Sequence, residues 1–383
     1  MRILHLVKTS TGARWAFLQM RELRRMGVEV HVALPPRGLL IPQYKAEGIT
    51  THFLNCDLPI RQPWTSFMVF YKLKRLIQDI NPDLIHSHFV GTTLTTRLAL
   101  GRAHPIPRLF QVPGPLHLEH TFFRNLEFSL AGTNDYWIAS CEATKKHYLK
   151  ESIPCSRLFL SYYGTEIERF FEPRLGKLRR EIGIHRNTKV VGMVAFMYAP
   201  KWYLGQKQGL KGHEDLIDAL TLIAPRIPNI LGIFVGGAWD KAKRYEKQIY
   251  AYGKKQLGER AVFLGTRNDV LDLYPDFDVA VHPSHSENVG GTVESFLMGI
   301  PTIATNVGGH PDLVIPGITG WLVPPSSPEK LAEAIIEVLR QPEKAHQMAL
   351  QGQKLARHLF DVTRTSKEIY EIYQRILNNN LMN

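Results

Sequence analysis

The chain is poor in cysteine: Cys56, Cys141 and Cys155 are the only three in 383 residues, and their spacing is neither paired nor metal-type. A disulfide framework is therefore excluded, and reduced core thiols are expected. No uncharged apolar run approaches the about 18 residues that cross a bilayer. The opening MRILHLVKTSTG has too short an apolar stretch for a signal peptide and reads as a first buried strand. A cytoplasmic protein is the expectation. His-x-x-x-His and His-Glu-x-x-His are both missing, although there are 16 histidines. His86 and His88 alternate along a strand end, so no metal is expected there or elsewhere. Also missing is a Gly-x-Gly-x-x-Gly after the first strand, where KTSTGAR holds the single Gly12. A Walker lysine and a Gly-x-Ser-x-Gly elbow are lacking too. These absences count against metalloenzymes, dinucleotide oxidoreductases, P-loop NTPases and serine hydrolases. With no base-reading module, nucleic acid is not an expected partner.

What is present is a long, folded-type composition without low-complexity tracts. A chain of this length suits two domains of about 180 residues rather than one core. Strand-like and helix-like stretches alternate from end to end. RILHLV, VEVHVAL, DLIHSHF, RLFQV and YWIAS alternate with helical segments at 13–26, 64–80 and 92–100. A second series, VVGMVAF, LGIFVGG, AVFLG, VAVHPS and PTIAT, begins near Lys189. Strands separated by helix-length segments imply βαβ units and parallel sheets, hence an α/β protein of two Rossmann-like domains. The basic, weakly apolar EPRLGKLRREIGIHRNTK suggests a boundary: residues 1–185, then 186–362, with a last helix at 363–383 packing back toward the first domain. Residues 1–185 carry 25 Lys/Arg against 15 Asp/Glu, and the remainder 22 against 20. The basic surplus lies in the first half and points to an anionic partner.

Two motifs carry the chemistry. LKGHEDLIDAL sets Lys211-Gly212 before a helix, where a lysine can place a point charge on a phosphate. HPSHSENVGGTVESFLMGIPTIATNVGG ends a strand at Pro283-Ser284 and puts Glu287 on the loop. Gly290 and Gly291 permit close backbone approach to a ligand, and a helix at 292–298 has Glu294 in its first turn. Surface solvation would account for Glu287, and helix-dipole pairing for Glu294. Neither explains the double glycine between them.

These segments, with FLGTRNDVLDLYPDFDVAVHPS and NVGGHPDLVIPGITGWLVPP in order, closely resemble the retaining glycosyltransferases of family 4, whose fold is GT-B. MRILHLV, TGAR and PDLIHSH extend the likeness weakly through the first half. The resemblance implies that Glu287 holds donor-sugar hydroxyls, with amides of Asn288, Val289, Gly290, Gly291 and Thr292 around the sugar and diphosphate. It implies that Glu294 binds the ribose, that Thr266, Arg267 and Asn268 face the base, and that Gly12 lets helix amides approach the phosphates. Lys211 would neutralise the diphosphate leaving group, making Lys211 and Glu287 the catalytic pair. No cofactor is implied. The substrate would be a nucleoside-diphosphate sugar, UDP-sugar first, and the acceptor a saccharide or lipid-linked hydroxyl in cell-surface or exopolysaccharide assembly.

Three departures stand out. The loop between the glutamates is one residue shorter than usual in the family. Met193 occupies the place of a phosphate-binding Arg, with an insertion, MYAPKWYLGQKQG, whose Lys201 or Lys207 would have to supply the charge. Pro113-Gly114 replaces an active-site His-Gly, leaving His117 or His120 for the acceptor side. Alternatives are a GT-B sugar-nucleotide epimerase and a catalytically silent nucleotide-sugar-binding protein. Trp64, Phe67, Phe70 and Tyr71 interleave with Lys72, Lys74 and Arg75, and HTFFRNLEFSLAG is a second apolar-basic stretch. An interfacial helix is built in this way, so contact with an anionic membrane at the inner face of the cell is a further expectation.

Overall fold

A computed structural model describes residues 1–60, 62–172, 174–201 and 205–381. Trp202, Tyr203 and Leu204 of the inserted segment lie outside the described residues, as do Arg61 and Pro173. The chain divides into two compact units, residues 1–166 with 359–383, and residues 167–358.

The first unit is built on seven strands: β1 (Arg2–Leu6), β2 (Glu29–Leu34), β3 (Thr50–Phe53), β4 (Leu84–Ser87), β5 (Arg108–Gln111), β6 (Asp135–Ala139) and β7 (Leu158–Leu160). They pair in parallel in the order β3-β2-β1-β4-β5-β6-β7. The second has six: β8 (Lys189–Val194), β9 (Ile230–Val235), β10 (Ala261–Gly265), β11 (Val279–His282), β12 (Thr302–Thr305) and β13 (Trp321–Val323). Their order is β10-β9-β8-β11-β12-β13, again parallel. Each sheet reverses direction beside its first strand, and in open α/β sheets ligands collect at the carboxyl ends of the strands near that point. β4, β11 and β12 are buried along their whole length, their histidine, serine and threonine residues included, as befits parallel strands covered on both faces.

The boundary lies at Glu166/Ile167 rather than at 185/186. Leu178 is fully buried among Val190, Ile233, Tyr274 and Phe277 of the second unit. The basic residues around it are committed there: Lys177 to Asp269, and Arg179 to Asp278 at 3.1 Å. The stretch read from sequence as the domain boundary is thus a docked arm whose cations answer carboxylates on the strand ends and loops of its own unit. The last helix, Val362–Leu381, returns to the first unit. It buries Ile369, Ile372, Tyr373 and Ile376 in the core that holds Phe17, Met20 and Leu23 of the helix Arg14–Arg25. Among the described residues no helix is long and apolar enough to cross a membrane. Cys56 and Cys141 are buried, but Cys155 is exposed.

The histidines of HSH behave differently from the sequence reading. Residues i and i+2 of a strand share a face, so His86 and His88 lie together and meet His5 of β1, all three with no exposed surface. Tyr163 spends its proton on the Gln111 carbonyl (3.0 Å), so His88 Nδ1–H must donate to Tyr163 Oη (3.2 Å). That leaves His88 Nε2 to accept from His5 Nδ1–H at 2.9 Å, while His86 Nδ1 meets Tyr373 Oη at 2.6 Å. Burial drives the His5 pKa down to about 3, so its ring is neutral. The rings of His86 and His88 stack 4.2 Å apart at 24°. Imidazole lone pairs lie in the ring planes, and planes so nearly parallel do not converge on one ion. The trio is a hydrogen-bonded peg joining the sheet to the last helix.

Candidate active site

The pocket opens in the second unit at the carboxyl ends of β8, β9 and β11, with a volume of about 350 Å³. Lys211, Glu287, Ser284, Thr266, Arg267, Gly290, Gly291 and Glu294 line it, with Phe196 and Tyr198. Such a concave site with a few convergent polar groups is the usual form of a small-molecule pocket.

Lys211 is aimed by its neighbour. Gly212 has φ +70° and caps the helix His213–Ile223, and a Cβ there would lie 2.0 Å from the Pro283 carbonyl. Only glycine lets the turn before the helix press onto the loop after β11, and this closeness brings Lys211 Nζ into an ion pair with Glu287. The loop is fixed from behind as well. His285 N–H donates to the Leu210 carbonyl (2.9 Å), and its ring lies between Asp215 (3.3 Å) and Ser326 (3.1 Å). A Cβ on Gly308 would overlap the Glu287 carbonyl, and Gly309 N–H donates to Asn288 O at 2.7 Å. Gly308-Gly309 is thus the seat on which the Glu287 loop rests.

Burial pushes the Glu287 carboxyl up, but the charge of Lys211, together with His310 and hydrogen bonds from Lys211 and the Asn288 amide (3.1 Å), holds it below its ordinary value. Glu287 is therefore an anion. Glu294 goes the other way: burial raises it, offset only partly by Arg169 and the Tyr274 hydroxyl. Two carboxylates in one pocket are set in opposite directions by their surroundings.

Other sequence-predicted residues are distributed unevenly. The Thr292 amide donates to Val289 O (3.1 Å) and the Glu294 amide to Gly291 O (3.1 Å), so these N–H groups close the turn instead of pointing into the pocket. Val289 is buried in the loop. Arg267 reaches the lining but is gripped by Glu181 and Asp269, and Asn268 is exposed outside the lining. Lys201 and Lys207 are exposed and do not line the pocket. Gly12 belongs to the first unit, where its amide donates to Thr9 Oγ1 at 3.4 Å before the helix Arg14–Arg25. His117 is committed to Glu127 (2.8 Å), which also takes Trp137 Nε1–H (2.8 Å). His120 lies half-buried against Phe123.

Met193, in the place of the family's Arg, is almost wholly buried in the core while still bordering the pocket. Beyond β8 the rings of Phe196 and Tyr198 join the lining, so among the described residues no cation stands at this place. Sequence reasoning also passed over His282, whose Nε2 meets Ser295 Oγ at 3.0 Å beneath the loop. A histidine ending a buried strand directly before Pro-Ser was the available signal.

Two family models match the chain in succession, Glycosyltransferase Family 4 over residues 12–169 and Glycosyl transferases group 1 over residues 202–355. The putative glycosyltransferase EpsD of Bacillus subtilis is 26% identical over 91% of this chain and 90% of its own. A D-inositol 3-phosphate glycosyltransferase of Corynebacterium glutamicum is 31% identical over 52% of this chain and 47% of its own. The chain spans about half the length of the first curated relatives it matches. Among solved structures, Anabaena HepE in complex with UDP superposes with a TM-score of 0.81 at 24% identity, over 98% of this chain and all of that one, a likeness of fold. Family models that together span most of the chain, and two parallel-sheet units superposing on that fold, lead to one conclusion: the chain belongs to the family 4, group 1 glycosyltransferases of GT-B fold.

Proposed function

We propose that the protein is a retaining, metal-independent hexosyltransferase that moves a sugar from a UDP-sugar to the hydroxyl of a saccharide or lipid-linked acceptor in cell-surface polysaccharide assembly. The observation that carries this reading is the half-buried Lys211–Glu287 ion pair in the pocket lining, with Glu294, Thr266 and Arg267 along the same lining. Lys211 offers a fixed cation where negative charge grows on a departing diphosphate, and a preplaced charge costs no reorganisation as the bond breaks. Glu287, held as an anion, accepts hydrogen bonds from sugar hydroxyls. Glu294 suits a ribose diol, and the segment Thr266–Asn268 the base. HepE, the matched structure, holds UDP, and the Staphylococcus aureus relative CapM is a capsular polysaccharide biosynthesis glycosyltransferase 23% identical over 98% of this chain. Both support the reading.

We also propose peripheral contact with an anionic membrane at the cytoplasmic face. Trp64 (75% exposed), Phe67 (79%), Met68 and Tyr71 form an apolar stripe that continues into exposed Lys72 and Arg75 on the helix Ser66–Ile80. Phe70 is half-buried and takes no part. Phosphatidylglycerol vesicles at low salt should sediment the protein, and Trp64→Ala with Phe67→Ala should release it. Equal recovery of wild type in the supernatant would sink this part.

Nucleotide release from UDP-glucose, UDP-galactose and UDP-N-acetylglucosamine in EDTA, with and without saccharide acceptors, tests the reaction. Acceptor-dependent release with an α-linked product supports the transferase. Acceptor-independent conversion of the donor would mark an epimerase, and binding without turnover a silent protein.

A further inference from the structure

Where β8 and β9 end, their pairing continues as a single bridge. Met197 N–H donates to Gly237 O (2.8 Å), and Trp239 N–H donates to Met197 O (3.0 Å). The alternation of an extended chain buries Met197 and turns Phe196 and Tyr198 to the other side, into the pocket lining. Trp239 joins them, edge-on to Phe196 (centroids 5.1 Å, 61°) and stacked on Tyr198 (5.5 Å, 27°). Phe196 and Trp239 keep 39% and 42% of their surface exposed, while Lys211 Nζ lies 5.7 Å from the centre of the Tyr198 ring. Backbone pairing and ring contacts thus hold Phe196 and Trp239 beside Lys211 with part of their apolar surface open, while half-buried Tyr198 backs them, stacked on Trp239 and with Lys211 over its ring.

We infer that Phe196, Tyr198 and Trp239 form a carbohydrate-stacking shelf, taking the apolar C–H face of a pyranose ring beside Lys211. In its donor form this rests on the nucleotide-sugar reading above. The shelf carries no cation and cannot neutralise phosphate. Of the lining cations among the described residues, Arg267 is held by two carboxylates, Glu181 and Asp269, and Lys211 by one, Glu287, so Lys211 is the less committed toward a diphosphate. An aromatic face beside a polar pocket fits a ligand with one apolar and one hydroxylated side, which describes a pyranose. Aromatic–aromatic packing sets the tilt of each ring, so the shelf is preorganised and its contact orients the sugar instead of ordering a floppy loop.

The source of the ring is either the donor's hexose or an acceptor saccharide, and one experiment separates them. Wild type, Trp239→Ala, Phe196→Ala and the conservative Trp239→Phe are titrated with UDP and with UDP-glucose. In parallel, saturation transfer from the protein to a panel of neutral oligosaccharides is recorded by NMR. UDP affinity unchanged with UDP-glucose affinity about five- to tenfold weaker in both alanine variants, and restored in Trp239→Phe, assigns the shelf to the donor sugar. Both nucleotides unchanged but saturation transfer lost assigns it to the acceptor. Equal weakening of UDP and UDP-glucose would mean contact with base or phosphate and would overturn the shelf, as would variants indistinguishable from wild type in every arm. If wild type binds neither nucleotide, the nucleotide-sugar reading fails on its own, and the oligosaccharide arm alone decides the shelf.

Discussion

Lys211 and Glu287 each solve the other's burial problem, so any diphosphate that reaches Lys211 competes with Glu287 for it. Glu287→Gln keeps the shape and removes that competition. Nucleoside-diphosphate affinity in this variant should hold or rise a few-fold while turnover falls by about 10²–10³, the usual loss when one fixed electrostatic contact is removed. Parallel calorimetry and product assays check the split; weakened nucleotide binding would place Glu287 on the phosphates instead of the sugar. Asp215 gives a separate test of the loop support. Burial raises its pKa to about 6 from 3.8, the nearby His285 opposing the shift. A carboxyl whose folded value lies above its unfolded value binds an extra proton on folding between the two. Stability from this group therefore falls as pH rises from about 4 to about 6 and then levels off. The stability of Asp215→Asn relative to wild type should increase across that window in denaturant titrations, and a flat difference would contradict it. These residue-scale details were half legible in advance. The Lys-Gly and Glu-loop motifs named side chains that line one pocket, because glycines at forced backbone positions leave a mark in sequence. The Asp215–His285 support left none, since it joins a helix to a loop 70 positions away in the chain.

At the scale of elements, the last helix shows how much one docked segment contributes. Ile369, Tyr373 and Ile376 are fully buried, and each such side chain is worth about 1.5–3 kcal/mol of apolar burial. Tyr373→Ala should cost about 3–5 kcal/mol, as large aromatic truncations do. Tyr373→Phe, which removes only the hydroxyl at His86, should cost about 1 kcal/mol. Denaturant unfolding of the first unit's signal checks the pair, and equal costs would mean that the histidine peg, not packing, secures the helix. The helix itself was readable from its apolar periodicity, as were most strands of both sheets. β3 (TTHF), β7 (LFL) and β13 (WLV) were not, for they are short strands at a sheet edge whose residues are stabilised by pairing more than by pattern. The inserted segment after β8 was seen as a source of missing cations. Its aromatic contribution, Tyr198, became visible only once backbone pairing placed that ring on the same side as Phe196 and Trp239.

For the whole molecule, redrawing the boundary changes the electrostatic account. By compact unit, the first holds 23 Lys/Arg against 15 Asp/Glu and the second 24 against 20. The first unit stays the more basic, but part of the surplus assigned to it from sequence belongs to the arm at 167–185, where Lys177 and Arg179 are already paired. Under the proposed function, an anionic surface would be met chiefly by the first unit, and the phosphates of a donor by the second through Lys211. Composition could not divide these roles, because charge totals do not reveal which cations are internally spent. The central claim, a nucleotide-diphosphate site built around Lys211, is tested most directly by calorimetric titration with UDP, GDP and ADP in EDTA, on wild type and Lys211→Ala. The account predicts micromolar binding of UDP by the wild type, weakened at least about tenfold in the variant. Binding of none of the three, or UDP affinity untouched by Lys211→Ala, would contradict it.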